Sequence, residues 1–374
     1  MKIALTGYYG FGNLGDDILL ITAEKIITEM FKSPQVIIVT ESKNSKYINE
    51  LIQPKSIITS ASRINVDWIV HGGGGIYFDF KESGFKYRFL NFIINTIGIN
   101  IYTIIYNFLL KILCKKRVTY KNRLGFGVGI GTFTKSSNKF HKSILSLSTY
   151  DLLFLRDQES IFNLREYNFD YQTFQSTDIA FHRDAWLNKL TISINKKQID
   201  LAIILRDWSY DNHYHIKTFL ATINALKDKG YSLRFFSFDE NADKHYIKCI
   251  NDLSLQLIIW SPNKMKLSYF MEQLSECRFS ITSRAHGAII SACLGIPGIC
   301  IEIEPKLGTV QRMLENSYQL MSNNFSPSFL VEKVQDSFQK IDQLNKNAQL
   351  DAELNQERII SDLNIMKEQL SKYE

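Results

Sequence analysis

Three side chains that could act together on an anionic substrate lie between residues 282 and 306. Arg284 and His286 stand in the hexapeptide Thr-Ser-Arg-Ala-His-Gly, and Lys306 follows His286 by twenty residues. Arginine binds carboxylate and phosphate groups through a planar fork, and histidine exchanges its proton near neutral pH. This combination suits a small substrate that carries several negative charges and needs one proton transferred.

The same stretch also has a purely structural interpretation, which the residues alone leave open. In that interpretation Ser283 caps the following helix, Arg284 pairs with a nearby carboxylate, and His286 is a hydrogen-bonded histidine without a chemical role. Other parts of the chain are needed to favour one interpretation over the other.

The elements around these residues predict a βαβ unit that brings the three side chains to one edge of a sheet. Residues 277–281 are typical of a buried strand, residues 288–294 of a short apolar helix, and residues 298–301 of the next strand. In open α/β sheets, ligands bind at the carboxyl ends of the strands. All three side chains would lie at those ends.

The whole chain alternates between apolar strands and helices, which indicates parallel sheets covered on both faces. The predicted strands lie at residues 2–6, 36–40, 66–71, 123–130, 151–155, 199–205, 231–238, 255–260, 277–281 and 298–301. We predict an α/β fold with two Rossmann-like domains facing a cleft, at 1–187 and 199–344, joined by a polar linker. Residues 345–374 would form a C-terminal packing helix.

Composition and charge are those of a two-domain globular enzyme. The chain has 374 residues, of which 45% are hydrophobic and 22% charged, as in ordinary globular proteins. The net charge of +6 comes without a Lys/Arg-rich tail or a nucleic-acid-binding motif. The mild basicity therefore favours anionic small substrates or lipid headgroups, and we expect no nucleic-acid partner.

The cysteines and the N-terminus favour a cytoplasmic protein. The five cysteines are scattered and form no C-x-x-C pair, a pattern that argues against a disulfide framework or a zinc site. The N-terminal strand runs directly into a glycine turn and lacks the features of a signal peptide. We expect no metal.

The glycine turn after the first strand matches a dinucleotide-binding fingerprint. Gly10, Gly12 and Gly15 form G-x-G-x-x-G between a strand and a helix predicted at 18–31, and Glu41 follows near the end of the second strand. Such glycines can bring a pyrophosphate close to the helix N-terminus.

The two residues after this fingerprint argue against a nucleotide. Asp16 and Asp17 would place carboxylates where the pyrophosphate must meet the helix. Two interpretations stay open: Asn13 with Asp16 or Asp17 reaches into the cleft, or Asp16 only caps the helix. Gly12 belongs to the same turn and is a candidate for close approach to a substrate.

Further glycines follow two other predicted strands. Residues 72–75 are four consecutive glycines, and Gly127, Gly129 and Gly131 alternate along the chain. Glycines at a strand end allow positive φ and close approach of the backbone to a ligand. We therefore expect backbone N–H groups, those of Gly73 and Gly74 among them, to face an anion.

These motifs together resemble the polysaccharide pyruvyl transferase family, over roughly residues 1 to 310. They occur in the order seen in that family, at residues 7–16, 71–75, 125–131, 155–160, 283–286 and 305–306. The Arg-x-His stretch and the opening glycine turn are the most specific of them. One departure is Thr132, where family sequences commonly have proline, and it leaves the choice of acceptor open.

The resemblance implies a fold and an activity. The fold is a glycosyltransferase-B-like pair of Rossmann-like domains. The activity is transfer of pyruvate from phosphoenolpyruvate onto two hydroxyls of a sugar as a ketal, in cell-surface polysaccharide biosynthesis. The family's active-site arginines and histidine map onto Arg156, Arg284 and His286, with Lys306 as a further member. The first domain, 1–187, would form the acceptor side and part of the donor site.

The residue types agree with this chemistry. Phosphoenolpyruvate carries a carboxylate and a phosphate, which Arg156, Arg284 and Lys306 could neutralise. His286 would be the general acid that protonates the methylene carbon, and Arg284 would stabilise developing charge. Phosphoenolpyruvate is the expected co-substrate, and no cofactor is expected.

The full set of expected substrate-binding residues is Arg156, Lys306, Ser283, Gly12, Asn13, Asp16, Gly73, Gly74 and Arg206. His71 is expected to be structural or to face the acceptor.

A long apolar segment at 89–113, flanked by lysines and arginines, has two interpretations. It is either a cleft-side helix of the first domain or an amphipathic helix lying in a membrane interface. A spanning helix is less favoured because it would divide the first domain across the bilayer. The interfacial interpretation fits peripheral contact with the inner face of the cytoplasmic membrane and a lipid-linked sugar acceptor.

Two other functions stay open from the sequence. One is a nucleotide-sugar-dependent glycosyltransferase on the same two-domain plan. The other is a non-catalytic protein that binds a sugar or a nucleotide.

Overall fold

The computed structural model describes residues 1–40, 45–52, 57–59, 64–77, 118–131, 133, 138–167, 173–188, 190, 197–207 and 216–373. The apolar segment 89–113, Glu41 and Thr132 lie outside the described residues, as does most of the predicted linker. The chain divides into two compact units. The first contains Met1–Tyr8, Ala23–Ile179 and Ile365–Glu374, and the second contains Tyr9–Thr22 and Ala180–Asn364.

Seven described strands of the first unit form one parallel sheet in the order β3-β2-β1-β4-β5-β6-β7. The strands are β1 Lys2–Thr6, β2 Gln35–Val39, β3 Ile57–Thr59, β4 Ile64–Tyr77, β5 Val118–Ile130, β6 Leu152–Leu155 and β7 Thr173–Gln175. The helices up to this point of the chain are α1 Leu14–Met30, α2 Ile48–Leu51, α3 Asn138–Leu147 and α4 Gln158–Glu166, with a short 3-10 helix at Ser45–Tyr47.

Six described strands of the second unit form another parallel sheet, in the order β10-β9-β8-β11-β12-β13. They are β8 Ile199–Ile204, β9 Leu233–Ser237, β10 Leu257–Ile259, β11 Cys277–Thr282, β12 Gly298–Glu302 and β13 Tyr318–Ser322. The remaining helices are α5 Asp184–Leu187, α6 Ile216–Asp228, α7 Lys244–Asp252, α8 Leu267–Ser275, α9 Ala285–Cys293, α10 Pro305–Met313, α11 Pro327–Phe338 and α12 Ile341–Leu370, with 3-10 helices at Ile179–Phe181 and Ser371–Tyr373.

Buried strands explain why the second sheet is parallel. The residues from Leu201 to Ile204 in β8 are fully buried, and Ile281 in β11 and Ile301 in β12 are buried in the same way. A strand that is apolar on both faces must be covered on both faces, which the βαβ crossover helices achieve. The strand order reverses between β8 and β11, the position where open α/β sheets bind their ligands.

The structure confirms the α/β class, the two parallel sheets and the C-terminal helix. The prediction that β4 ends at His71 and gives way to a glycine turn is wrong. The strand continues to Tyr77, and Gly72, Gly74 and Gly75 pair with residues of β5. Gly72 pairs with Phe126 and Gly74 with Val128, so pairing with β5 continues the strand through glycines that would ordinarily weaken it.

Two segments belong to a different unit from the residues that precede or follow them in the sequence. Residues 9–22 belong to the second unit, and residues 365–374 belong to the first. Helices α1 and α12 each contribute residues to both units. The sequence led us to expect three consecutive ranges instead, 1–187, 199–344 and 345–374.

In the part of the chain that the structure describes, no helix has the length and hydropathy needed to cross a membrane.

Candidate active site

The glycine turn of residues 9–13 is anchored in the second unit by the loop that follows β9. The backbone N–H of Leu14 donates to the carbonyl of Phe238 at 2.9 Å. The Nδ2 atom of Asn13 donates to Oδ2 of Asp239 at 3.5 Å. These bonds fix the start of α1 beside the carboxyl end of β9.

Asn13 also caps helix α1. Its Oδ1 atom accepts hydrogen bonds from the backbone N–H groups of Gly15 at 3.0 Å and Asp16 at 3.4 Å. This is the usual arrangement of an N-cap, which satisfies donors that the helix itself leaves without partners. Asp16 is therefore the third residue of the helix and not its cap. Gly12, just before Asn13, has a φ of 79° and lies beside Pro262.

The imidazole of His286 packs directly on helix α1 at Gly15. A Cβ atom added to Gly15 would overlap Nδ1 and Cγ of the ring. The third glycine of the G-x-G-x-x-G pattern is thus required for close approach of a histidine side chain. This contact places His286, from the first turn of α9, next to Asp16.

Arg284 is held by a buried carboxylate. Its Nη2 atom donates to Oδ1 of Asp243, whose side chain is fully buried and also accepts from Oγ of Ser237 at 2.9 Å. The Nε atom of Arg284 is buried and has no hydrogen-bond partner among the described residues. Thr282, not Ser283, accepts the backbone N–H of Arg284, through Oγ1 at 3.0 Å.

Arg206 and Lys306 share one carboxylate oxygen. Nη1 of Arg206 and Nζ of Lys306 each lie 3.0 Å from Oε1 of Glu304, which is 5% exposed. The backbone N–H of Arg206 donates to Oγ of Ser283 at 3.0 Å, which ties the end of β8 to the end of β11. Burial lowers the pKa of the Arg206 guanidinium, and the Glu304 carboxylate opposes that shift.

The pKa of Asp16 is raised to about 6. Burial is the main cause, and the carboxylate of Asp239 adds to it. The charges of His286, Lys306 and Arg284 act in the opposite direction. Asp16 therefore interacts electrostatically with all three side chains that the sequence pattern first indicated.

Arg156 lies in the first unit, at the end of β6. Its side chain is 9% exposed. Its Nε atom donates to Oδ2 of Asp157 at 2.9 Å, and Nη1 is 3.8 Å from Oδ2 of Asp178. A Cβ atom on Gly129 would overlap its guanidinium, so this glycine of β5 leaves room for the arginine.

The Arg-Asp-x-x-Ser motif around Arg156 is a helix start. Oδ1 of Asp157 accepts from the backbone N–H of Ser160 at 2.7 Å and caps α4. Oγ of Ser160 donates to the same carboxylate oxygen at 2.6 Å and accepts from the N–H of Ile130 at 2.8 Å. The motif thereby joins Arg156 to the glycine-rich end of β5.

Gly73 and Gly74 lie within β4, with φ angles of 80° and 90°. Both conformations favour glycine. On the side facing β5, Gly74 pairs with Val128. The backbone of Gly74 is therefore engaged in the sheet on that side, and the approach of an anion to the N–H groups of Gly73 and Gly74 stays a prediction.

His71 belongs to a buried polar network in the first unit. Its Nε2 atom accepts from Nη2 of Arg123 at 3.0 Å, and its Nδ1 is 3.0 Å from Oγ1 of Thr6. Because Arg123 can only donate, Nδ1 carries the proton. Burial, with Arg123 adding to it, lowers the pKa of His71 to about 3. This agrees with a structural role.

The structure thus brings together, within the second unit, Asn13, Asp16, Arg206, Ser283, Arg284, His286 and Lys306. Sequence reasoning missed the carboxylates Asp243 and Glu304. Glu304 had a visible signal, because it stands between a strand and the Pro-Lys pair. Asp243 had no such signal in the sequence, since it lies in an ordinary polar stretch four residues after Asp239.

Comparison with known proteins agrees with the fold and with the motifs. The sequence model of the polysaccharide pyruvyl transferase family matches residues 13–305, most of the chain. The search of curated proteins with this chain found no match.

Two solved structures show a similar fold. The UDP-GlcNAc 2-epimerase of Neisseria meningitidis, bound to UDP-GlcNAc, has a TM-score of 0.58 at 13% identity, with 100% of each chain covered. The MnaA protein of S. aureus in complex with UDP has a TM-score of 0.60 at 10% identity, with 96% of this chain and 94% of that chain covered. At such identities the likeness shows the fold alone, and it confirms the glycosyltransferase-B-like plan of two Rossmann-like units.

Proposed function

The chain belongs to the polysaccharide pyruvyl transferase family, and on that premise we propose that it transfers pyruvate from phosphoenolpyruvate to two hydroxyls of a sugar. The product is a cyclic ketal on a cell-surface polysaccharide or its precursor. The observation that carries this proposal is that Arg206, Arg284, His286 and Lys306 all follow the carboxyl ends of β8, β11 and β12, where the last three interact electrostatically with Asp16.

The cations suit the donor. Phosphoenolpyruvate has a carboxylate and a phosphate, and removing that much negative charge from water requires several cations in fixed geometry. Asp243 and Glu304 hold the three cations in place before any substrate arrives. Preorganised charges of this kind need little rearrangement in the transition state.

His286 is the proton donor in this proposal. It gives a proton to the methylene carbon of phosphoenolpyruvate as the adjacent carbon accepts the oxygen of the first sugar hydroxyl. The bond between that carbon and the phosphate oxygen breaks, and the second hydroxyl closes the ketal. One hydroxyl proton replaces the proton given to carbon, and the other leaves with inorganic phosphate.

The proposal includes no metal and no cofactor, because side chains of the chain provide both the positive charge and the proton. It includes a lipid-linked sugar as the acceptor, held at the inner face of the cytoplasmic membrane. That part depends on the sequence of residues 89–113 and on the mild net charge of +6.

The test is incubation of the full chain with phosphoenolpyruvate and a panel of free, nucleotide-linked and lipid-linked sugars. We expect one acceptor to gain the mass of a pyruvyl ketal, with release of one equivalent of inorganic phosphate. The His286→Ala variant is the inactive control. Glycosyl transfer from a nucleotide sugar, without consumption of phosphoenolpyruvate, would overturn the proposal in favour of a glycosyltransferase.

A further inference from the structure

Ketal formation requires two kinds of proton transfer at once. A proton must reach the methylene carbon as the first hydroxyl oxygen attacks, and that hydroxyl must lose its own proton. One imidazole cannot donate to carbon and accept from oxygen in the same step. A second group close to His286 is therefore needed, and this argument depends on the proposed function.

Four carboxylates that lie near the three cations or beside Asp16 in space or in sequence are already engaged. Asp243 binds Arg284, and Glu304 binds Arg206 and Lys306. Asp239 accepts the backbone N–H groups of residues 241 and 242, at 3.0 and 2.9 Å. Asp17 is fully buried and accepts the indole N–H of Trp260 at 2.8 Å.

Asp16 is the exception. Its carboxylate has no hydrogen bond or ion pair to any residue that the structure describes, and the residue as a whole is half-buried. It sits one residue after Gly15, on which the His286 ring packs. The capped start of α1 holds it there, because Asn13 fixes the first turn and is itself bonded to Asp239.

We propose that Asp16 is the general base that takes the proton from the first acceptor hydroxyl while His286 gives a proton to the methylene carbon. The oxygen–hydrogen bond of the acceptor breaks as the bond from that oxygen to the donor carbon forms. The proton ends on the Asp16 carboxylate, and the phosphate that leaves later can carry it to solvent.

The electrostatic surroundings suit this role. The groups that face Asp16 are His286 on α9, Lys306 on α10, Arg284 after β11, Asp239 after β9 and Tyr9 in its own turn. Their combined effect with burial raises the pKa of Asp16 to about 6, so the carboxylate is mostly ionised at neutral pH yet binds a proton more readily than an exposed aspartate. General bases work best with a pKa near the working pH.

The test compares Asp16→Asn with Asp16→Glu and with the neighbouring control Asp17→Asn. Asparagine has the shape of aspartate but cannot accept the proton. We expect Asp16→Asn to lower kcat about 100-fold or more, the usual effect of losing an acid–base group. Phosphoenolpyruvate affinity, measured by calorimetry, should stay equal or improve, because a negative charge near the donor is removed.

The pH profile separates a base from a structural residue. In the wild type, kcat/KM should rise with pH through about 6. That acidic limb should be absent in Asp16→Asn and retained, with partial activity, in Asp16→Glu. The same donor is used throughout, so its own ionisation cannot cause a difference between variants. Asp17→Asn should keep both the limb and near-wild-type turnover.

Thermal melting gives a readout that does not depend on activity. The folded pKa of Asp16 lies above the ordinary value of 3.8, so keeping the group ionised destabilises the folded state above about pH 6. Asp16→Asn should therefore melt at a higher temperature than the wild type at pH 7, and the difference should vanish as pH falls toward 4.

The outcomes distinguish this inference from the proposed function. A wild type that forms no ketal with any acceptor would overturn both. A wild type that forms ketal, with equal turnover and the same acidic limb in Asp16→Asn, would overturn the role of Asp16 alone. Loss of the acidic limb of the pH profile in Asp16→Asn, together with unchanged donor binding, supports the role of Asp16.

Discussion

At the scale of single residues, the cations of the candidate site are defined by the carboxylates that hold them. Arg284 could point in several directions from the end of β11, and its bond to the buried Asp243 selects one. Arg206 and Lys306 are drawn to the same oxygen of Glu304 although they come from different segments of the chain. A donor would therefore meet cations whose geometry is already set.

Replacement of His286 should affect the chemical step more than donor binding. We expect His286→Gln, which keeps a polar side chain, to bind phosphoenolpyruvate with nearly unchanged affinity and to lose about 100-fold or more in kcat. Single-turnover measurements with saturating donor and acceptor test this. Near-wild-type turnover would remove His286 from the mechanism.

Replacement of Arg284 should weaken donor binding even when the charge is kept. In Arg284→Lys a point charge replaces a planar fork, so bidentate contact with a carboxylate or phosphate is lost. We expect at least a tenfold loss of phosphoenolpyruvate affinity by calorimetry, about 1.4 kcal/mol. Arg278→Lys, at the opposite end of β11, is the matched control and should bind as the wild type does.

Arg156→Ala should also weaken donor binding, as the family motif implies for this arginine. Unchanged affinity in both Arg156→Ala and Arg284→Lys would contradict the donor-site assignment. A loss confined to the Arg284 variant would restrict the donor contacts to the second unit.

At the scale of elements, helix α1 depends on its cap. In Asn13→Ala the N–H groups of Gly15 and Asp16 lose their acceptor, which should lower the free energy of unfolding by about 1 kcal/mol. Asn13→Ser keeps a capping oxygen and should lose less. Urea denaturation at constant pH measures both, and equal stability of Asn13→Ala and wild type would show that the cap is dispensable.

Strand β4 carries a histidine that should make the protein sensitive to acid. His71 has a folded pKa of about 3, below the unfolded value of about 6.5. Its neutral form therefore stabilises the fold above about pH 6.5, and this stability is lost as pH falls toward 3. Between these limits the wild type should lose about 1.4 kcal/mol more per pH unit than His71→Gln, measured by denaturation at several pH values.

The periodicity of apolar residues was enough to predict the strands that form the centre of both sheets, because these strands are buried on both faces. It did not predict β3, β7 or β13, which are edge strands, and β7 and β13 are less completely buried than the central strands. Nor did it show that β4 passes through four glycines, because glycine normally ends a strand and only the pairing with β5 overrides that tendency.

The candidate site was predictable where function depends on residue type, and not where it depends on packing. Arg284, His286 and Lys306 could be selected for their chemistry. The contact of His286 with Gly15, about 270 residues earlier in the chain, depends on where α1 begins in three dimensions. A glycine that serves phosphate binding and one that serves close packing look identical in the sequence.

At the scale of the whole molecule, the apolar sequence of residues 89–113 leads us to predict binding to anionic membranes. If the segment lies in the interface, the protein should float with anionic liposomes at low salt, and high salt should weaken that binding by screening its flanking lysines and arginines. Replacing Ile93, Ile97, Ile101 and Ile104 with serine should then release a folded protein. A folded wild type that does not bind anionic liposomes at low salt would contradict the prediction.

The exchange of chain segments between the two units also has a consequence for synthesis on the ribosome. Residues 365–374 belong to the first unit, where the ring of Tyr373 packs edge-on against Trp68 with the ring centres 5.3 Å apart. The first unit therefore lacks these contacts until residues 365–374 have been synthesised, whereas most multidomain proteins can complete their first domain early. Residues 9–22, in turn, can make their contacts with the second unit only after most of that unit has been synthesised. Neither half should fold correctly when expressed alone from a simple division of the gene.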